Sequence, residues 1–286
     1  MVLMACMAKL ESNRYGKHRV RVLKVLHEGG RHEVCELEVD VLLEGELAAS
    51  YHSSDNSSIV PTDTVKNTVQ VLAHDFLTTC RTSFARVMGD HFLRQYAHLS
   101  GVFVEIRERR WGRMEVEGQP HEHSFVAVGN GEWFARCDFL RNAEPVLKAG
   151  LRDHLVMKTT GSGFVGYHVC ELTTLPPTED RILATRLSAE WEFADETVDF
   201  ASVDASYPGV AYSVFAARYS PSVQRTLYQI GESLLEACPG VIQVGLKLPN
   251  VHFLGIDLSR FRRPGPSTVY LPTDEPHGEI EAVIRR

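Results

Sequence analysis

The sequence predicts an α+β protein built from two tandem ββααββ units, with antiparallel sheets carrying helices on one face. Three observations lead there. Residues 35–43 alternate strictly: Cys35, Leu37, Val39, Val41 and Leu43 face one way, and Glu36, Glu38 and Asp40 the other. That is a half-buried strand with one wet face. Residues 83–99 instead repeat at helical spacing, with Phe84, Val87, Met88, His91, Phe92, Gln95 and Tyr96 on one broad face. Finally, the order strand, strand, helix, helix, strands occurs twice along the chain.

In the first half, HRVRVLKVL (18–26) pairs with residues 35–43 through HEGGRH (27–32), a hairpin with a glycine turn. The stretch IVPTDTVKNTV (59–69) leaves an extended end, passes Pro61 and opens a helix at Thr62-Asp63. Side-chain capping explains such a start, and so does the anion-binding capacity of a helix N-terminus. On the face of the following helix His91 reads as a hydrogen-bonded core histidine. Strands resume in GVFVEIRERRW (101–111), EHSFVAVGN (122–130) and EWFARCDFL (132–140). In the second half, LRDHLVMKTT (151–160) and RILATRLSAEWEF (181–193) read as strands. Residues 203–219 and 220–238 read as helices, and GVIQVGLKLP (240–249) and VHFLGIDL (251–258) as strands. The apolar stripe of the last helix is Val223, Leu227, Ile230, Gly231, Leu234 and Cys238, stopped by Pro239-Gly240. The seam falls in residues 141–150, dividing the chain into units 1–142 and 143–286. Long antiparallel strands leave edges, and closing several copies into a ring or barrel removes them, which predicts a homo-oligomer.

Composition narrows the function. The 286 residues are 44% hydrophobic with a formal charge of -7 and no basic or acidic tail, which argues against nucleic acid or anionic membrane as partner. Six scattered cysteines without a C-x-x-C pair argue against a thiolate zinc cage and for buried free thiols. The N-terminal stretch has no basic leader region, and no run approaches the ~18–20 apolar residues of a membrane span. The expectation is a cytoplasmic protein. The common nucleotide loops, the hydrolase nucleophile elbow and the paired-histidine zinc helix are all missing from the sequence.

Several smaller patterns carry possible chemistry. His121 and His123 sit at i, i+2 on one side of a strand, a spacing that can bind a metal, or two ordinary histidines at a strand entry. Asn250 and His252 share a strand face and suit a small polar ligand and a proton shuttle, or plain edge-strand polarity. Lys17 precedes the first strand and Arg181 starts another; alone these read as a solvated lysine and a surface ion pair. SPSVQRTL (220–227) opens a helix at Ser220 or Ser222 with Gln224 close behind.

Together these segments resemble the urate oxidase (uricase) family. The matching pieces are RYGKHRVRV, VLLEGELAASY, DNSSIVPTDTVKNTV, RRWGRMEVEGQPHEHSF, GFVGY, TTLPPTEDRILAT, SVQRTLY and LPNVHFLGIDLS, in that order. The likeness thins in the first dozen residues, near 128–160 and around 194–206. Glu179 stands where some relatives carry an aromatic. The resemblance implies the tunnelling fold, two such units per chain, with four chains forming a barrel. It implies oxidation of urate by dioxygen to 5-hydroxyisourate and hydrogen peroxide, with no metal and no organic cofactor.

Carried over by position, Lys17, Thr62 and His252 form a proton relay. Arg181, Gln224 and the Val223 backbone N–H grip one edge of urate, and Phe164 stacks on its face. Thr62 and the Asp63 backbone meet the other edge, and Asn250 with Thr62 holds dioxygen or water above the ring. In such a homotetramer Lys17, Thr62 and Asp63 come from one chain and the rest from its neighbour. The competing readings are another tunnelling-fold enzyme acting on a pterin or different purine, a non-catalytic purine-binding protein, and a metalloenzyme using His121 and His123.

Overall fold

The computed structural model describes residues 8–273 and 275–286. The first seven residues, on which most of the leader-peptide reading rests, lie outside the described ones. The chain divides into two compact units, one comprising Met1–Val128 and Phe134–Leu147, the other Gly129–Trp133 and Lys148–Arg286.

In the first unit, β1 (Tyr15–Glu28) and β2 (Arg31–Gly45) form the expected hairpin, turning at Gly29, whose φ of 63° suits glycine. A short helix α1 (Ala48–His52) follows, which the sequence reading did not foresee. Helices α2 (Thr62–Phe76) and α3 (Arg81–Gln95) then lead to β3 (Leu99–Arg109), the hairpin of β4 (Trp111–Val116) and β5 (Gln119–Ala127), and β6 (Glu132–Leu140). The sheet order is β1-β2-β3-β6, antiparallel where β2 meets β1 and β3. Its inner face is the predicted one: Cys35, Leu37, Val39, Val41 and Leu43, joined by Val102, Val104 and Ile106, are all buried. Against it α2 places Val65, Val69 and Leu72, and α3 places Phe84, Met88 and Phe92. His91 is a correction: it is only half-buried, at the rim of that face with its ring edge against Phe92, because the stripe centres on Phe84, Met88 and Phe92.

The opposite face of this sheet is an ion-pair lattice. Arg107 bonds Asp40 at 2.8 Å and Glu38 at 3.1 Å, and Arg19 and Arg21 reach Glu38 at 3.3 and 3.1 Å. Opposite charges across neighbouring strands stabilise the register.

The second unit carries β7 (Val146–Lys158), β8 (Leu183–Phe193), α4 (Phe200–Ala217), α5 (Val223–Ala237), β9 (Val241–Lys247), β10 (Asn250–Gly255), β11 (Tyr270–Thr273) and β12 (Glu281–Arg285). β7 begins inside the expected seam, because buried Leu147, Ala149 and Leu151 already alternate there. One edge of β8 pairs with β7; the other is shared end to end by β9 and β10. Ser188 faces Lys247 and Thr185 faces Asn250 with no slip of register between them. Leu248-Pro249 therefore interrupts a single line of strand. Pro249 lacks the N–H a ladder needs, and the flanking Leu248 and Asn250 N–H groups turn to the carbonyls of Ile280 and Gly278. Trp191 and Tyr207, rings 5.0 Å apart, centre the unit's core.

Cys35, Cys137 and Cys238 are buried as expected, but Cys80 is half-buried and Cys170 exposed. Cys170 lies in a loop whose apolar neighbours Val169 and Leu172 are themselves exposed. Among the described residues no helix is long and apolar enough to cross a membrane.

Candidate active site

The structure brings the candidate residues together in two groups, one in each unit. In the second unit, three short segments are stitched by backbone bonds. Gly163 N–H donates to the Ser220 carbonyl at 2.8 Å and Ser220 N–H to Gly161 at 2.9 Å. Phe164 and Thr178 exchange two bonds, and Arg181 N–H donates to Ser162 at 2.8 Å. Phe164, Arg181 and the loop opening α5 are thus held by one small irregular ladder. Gly163 is required in it: a Cβ there would strike the Tyr219 hydroxyl and lie 3.0 Å from the carbonyls of Thr178 and Glu179.

Asp180 braces the same ladder, accepting from Thr160 Oγ1 and from Gly161 N–H at 2.9 Å. These bonds, led by that from Thr160, hold its carboxyl below the usual carboxylate range. The Arg181 guanidinium lies 5.5 Å from the Phe164 ring centre, within cation–π range. Burial lowers its pKa, and its buried Nε has no partner among the described residues. Behind Phe164 stands Tyr167, stacked at 4.9 Å and tilted by 17°, with its hydroxyl donating to the Leu175 carbonyl.

Arg181 opens onto a cleft of about 260 Å³ that Asp180, Asn250, His252 and Tyr270 also line. Because β10 pairs with β8 just after Arg181, Asn250 and His252 come to this end of the sheet, two apart and so on one face. At α5, Ser222 is the N-cap, accepting from Arg225 N–H, and Thr226 N–H returns to the Ser222 carbonyl. Helix geometry leaves the N–H groups of Val223 and Gln224 without intrahelical acceptors. The Val223 side chain anchors this turn in the core, and Gln224 is exposed.

In the first unit, Lys17 lies on β1 and Thr62 and Asp63 open α2. The capping expectation needs correction: the N-cap is Pro61, and no side chain caps the helix. The Asp63 carboxylate instead bonds Lys66 at 2.5 Å and Asn67 at 3.1 Å. Lys66 foremost, with Lys17 contributing, holds it below the usual range. Pro61 supplies fixed backbone geometry in place of a cap, leaving the Thr62 hydroxyl and the first N–H groups of α2 as donors.

His121 and His123 do lie side by side, ring centres 4.6 Å apart, with His32 5.9 Å from His123. Among the described residues, however, no group of three or more His, Cys, Asp or Glu side chains is arranged to hold a metal. Sequence reading missed Tyr167, Asp180 and Gly163, whose roles come from contacts distant in sequence; only the adjacency of Asp180 to Arg181 hinted at one of them.

An α+β chain of antiparallel sheets with few helices, arranged in this order, defines a tunnelling-fold protein. The comparisons with known proteins agree. The uricase family profile matches residues 13–137 and 147–281. The chain is 39% identical to a uricase of Dictyostelium discoideum, over 98% of each chain. It is 36% identical to one of Cyberlindnera jadinii, over 97% of each. The crystal structure of uricase from Arthrobacter globiformis superposes with a TM-score of 0.92 at 34% identity, covering 98% of this chain and 96% of that one. The chain belongs to the uricase family.

Proposed function

We infer that this chain is a urate oxidase, converting urate, dioxygen and water to 5-hydroxyisourate and hydrogen peroxide. The observation that carries the reading is the convergence of Arg181, Asn250 and His252 on one cleft, with Phe164 against the guanidinium. Urate is a flat anion with oxygen acceptors along its edges. A guanidinium fork matches two such acceptors at once, and stacking on an aromatic ring contributes ~1–3 kcal/mol per base in related recognition. The free N–H of Val223 and the amide of Gln224 extend the same edge.

The chemistry then runs on a proton. Lys17 takes one from bound urate through the Thr62 hydroxyl, and the electron-rich dianion reduces dioxygen itself. Asn250, with Thr62, holds the oxygen or water above the ring, and His252 passes protons to the departing peroxide. The Asp63 backbone N–H, in the first turn of a helix that no side chain caps, steadies the second edge. In this reading neither metal nor organic cofactor takes part. The units 1–142 and 143–286 are tandem copies of one fold, and four chains close a barrel. Lys17, Thr62 and Asp63 of one protomer meet the remaining residues of its neighbour in the cytoplasm.

The test mixes purified protein with urate and excess EDTA and follows urate absorbance, oxygen uptake and peroxide together. Equal loss of urate and oxygen with matching peroxide is expected. No turnover, or turnover only after copper or a flavin is added, overturns the reading.

A further inference from the structure

We propose that Tyr15 is a positioning residue: its hydroxyl fastens the Val60-Pro61-Thr62 turn to the strand that carries Lys17. This rests on the Lys17–Thr62 relay proposed above. Tyr15 and Lys17 lie two apart on β1 and pair with Leu43 and Val41, both buried on the helix-facing side of the sheet. Directly paired residues share a face, so Tyr15 and Lys17 stand together over the helix layer. The register breaks immediately after Lys17, where Arg19 takes a φ of 57° and its N–H bonds Asp40 at 2.6 Å. A bulge of this kind re-aims a side chain beside it. Between the two, Gly16 packs so closely on the Val41 carbonyl that no Cβ fits, which holds β1 tight against β2 at this point.

The Tyr15 hydroxyl accepts the Val60 N–H at 2.7 Å. Val60 is only 4% exposed, so without that oxygen its N–H would be a buried donor with no water to turn to. From Val60 the chain reaches Thr62 through Pro61, whose ring fixes φ at −52°. The link from phenol to Thr62 is therefore short and stiff. Lys17 is near enough to contribute to the depressed pKa of Asp63, the residue after Thr62. Burial also raises the Tyr15 phenol, which keeps it a neutral acceptor throughout the working range of such an enzyme. One hydroxyl thus sets the separation of the two relay groups without touching substrate.

The test is Tyr15→Phe, alone and combined with Thr62→Ala, beside Lys17→Met. Tyr15→Phe is expected to lower kcat about ten- to a hundredfold, the scale of a small misplacement of reacting groups, with a clearly smaller change in KM and in the Kd of an unreactive xanthine analogue. In the Thr62→Ala background Tyr15→Phe should cost nothing further, because the group it positions is gone. An equal loss in both backgrounds, or wild-type kcat in Tyr15→Phe, overturns the role. Lys17→Met at the wild-type rate overturns the relay itself and this role with it; an impaired Lys17→Met beside an unimpaired Tyr15→Phe overturns Tyr15 alone. Should Tyr15→Phe fail to fold, hydrogen exchange at the Val60 amide of the wild-type protein decides: protection supports the bond, and exchange at free-loop rates sinks it.

Discussion

Arg181 concentrates the physics of the site at the scale of one residue. Its backbone N–H is committed to Ser162, its guanidinium faces Phe164, and burial already works against its charge. An acceptor-rich anion relieves that cost. Arg181→Lys keeps the charge but loses the planar fork, so KM for urate should rise about tenfold, or about 1.4 kcal/mol, with a smaller change in kcat. Unchanged steady-state kinetics would remove Arg181 from the binding edge. Lys17→Met should leave analogue binding nearly intact and lower kcat by ~10²–10⁴, the range of general acid–base steps; Thr62→Ala should lower kcat on the same scale and also weaken analogue binding, because it removes a contact to the second edge. Asp180 adds a pH dependence. Its carboxyl is depressed in the folded protein, so its bracing of the ladder is fully present above the ordinary aspartate value of ~3.9 and is lost as pH falls through the lower folded value. Analogue binding should weaken across that acid window in wild type, whereas Asp180→Asn should bind weakly at neutral pH and vary little with acid.

The elements matter here by where they stop. α5 begins at Val223 because Ser222 caps it, and α2 begins at Thr62 after Pro61, whose fixed φ of −52° suits a helix start. Both starts deliver backbone donors. The ladder of 161–164, 178–181 and 219–220 has no room to spare at Gly163, so Gly163→Ala should destabilise by roughly 1–3 kcal/mol, the usual penalty of overpacking. It should also raise KM several-fold; a thermal melt and urate kinetics check both. Periodicity made most elements legible in the sequence: the alternation at 35–43 and the stripe of α5 emerged as read. It gave no sign of α1, whose five residues include no buried one, or of β4, whose side chains are exposed or half-buried. The early start of β7 was hidden by Pro145 and Gly150, which punctuate a sequence without ending this strand. Among the candidate site residues, identity was legible from motifs; their bracing was not, since Asp180, Tyr167 and Gly163 act through partners that only folding brings near.

At the scale of the whole molecule, charge governs two behaviours. Glu38 and Asp40 both sit below the ordinary carboxylate range. Burial alone would raise them, but Arg21, Arg107 and Arg19 at Glu38, and the Arg19 N–H and Arg107 at Asp40, outweigh it. The stability they contribute is present above about pH 4 and lost as pH falls through their folded values. An acid melt should therefore steepen there, and Arg107→Gln should blunt it. The chain also carries a net −7 while its proposed substrate is an anion, so long-range repulsion opposes encounter. Salt shortens the Debye length, and kcat/KM should rise modestly as ionic strength is increased from a low value. If four chains supply the sites jointly, specific activity should also fall on dilution in step with dissociation seen by sedimentation.

The interrupted strand at Leu248-Pro249 has a consequence for how this gene can vary. Asn250 and His252 face the cleft only because β9 and β10 keep one unbroken count along β8. A single extra codon between Val244 and Asn250 would shift that count by one and send both side chains to the opposite surface. The protein would still present every residue its chemistry asks for, in the right order, and yet have neither Asn250 nor His252 beside Arg181 at the cleft. Two extra codons would restore the parity, so length changes in this stretch should be tolerated in even steps before they are tolerated in odd ones.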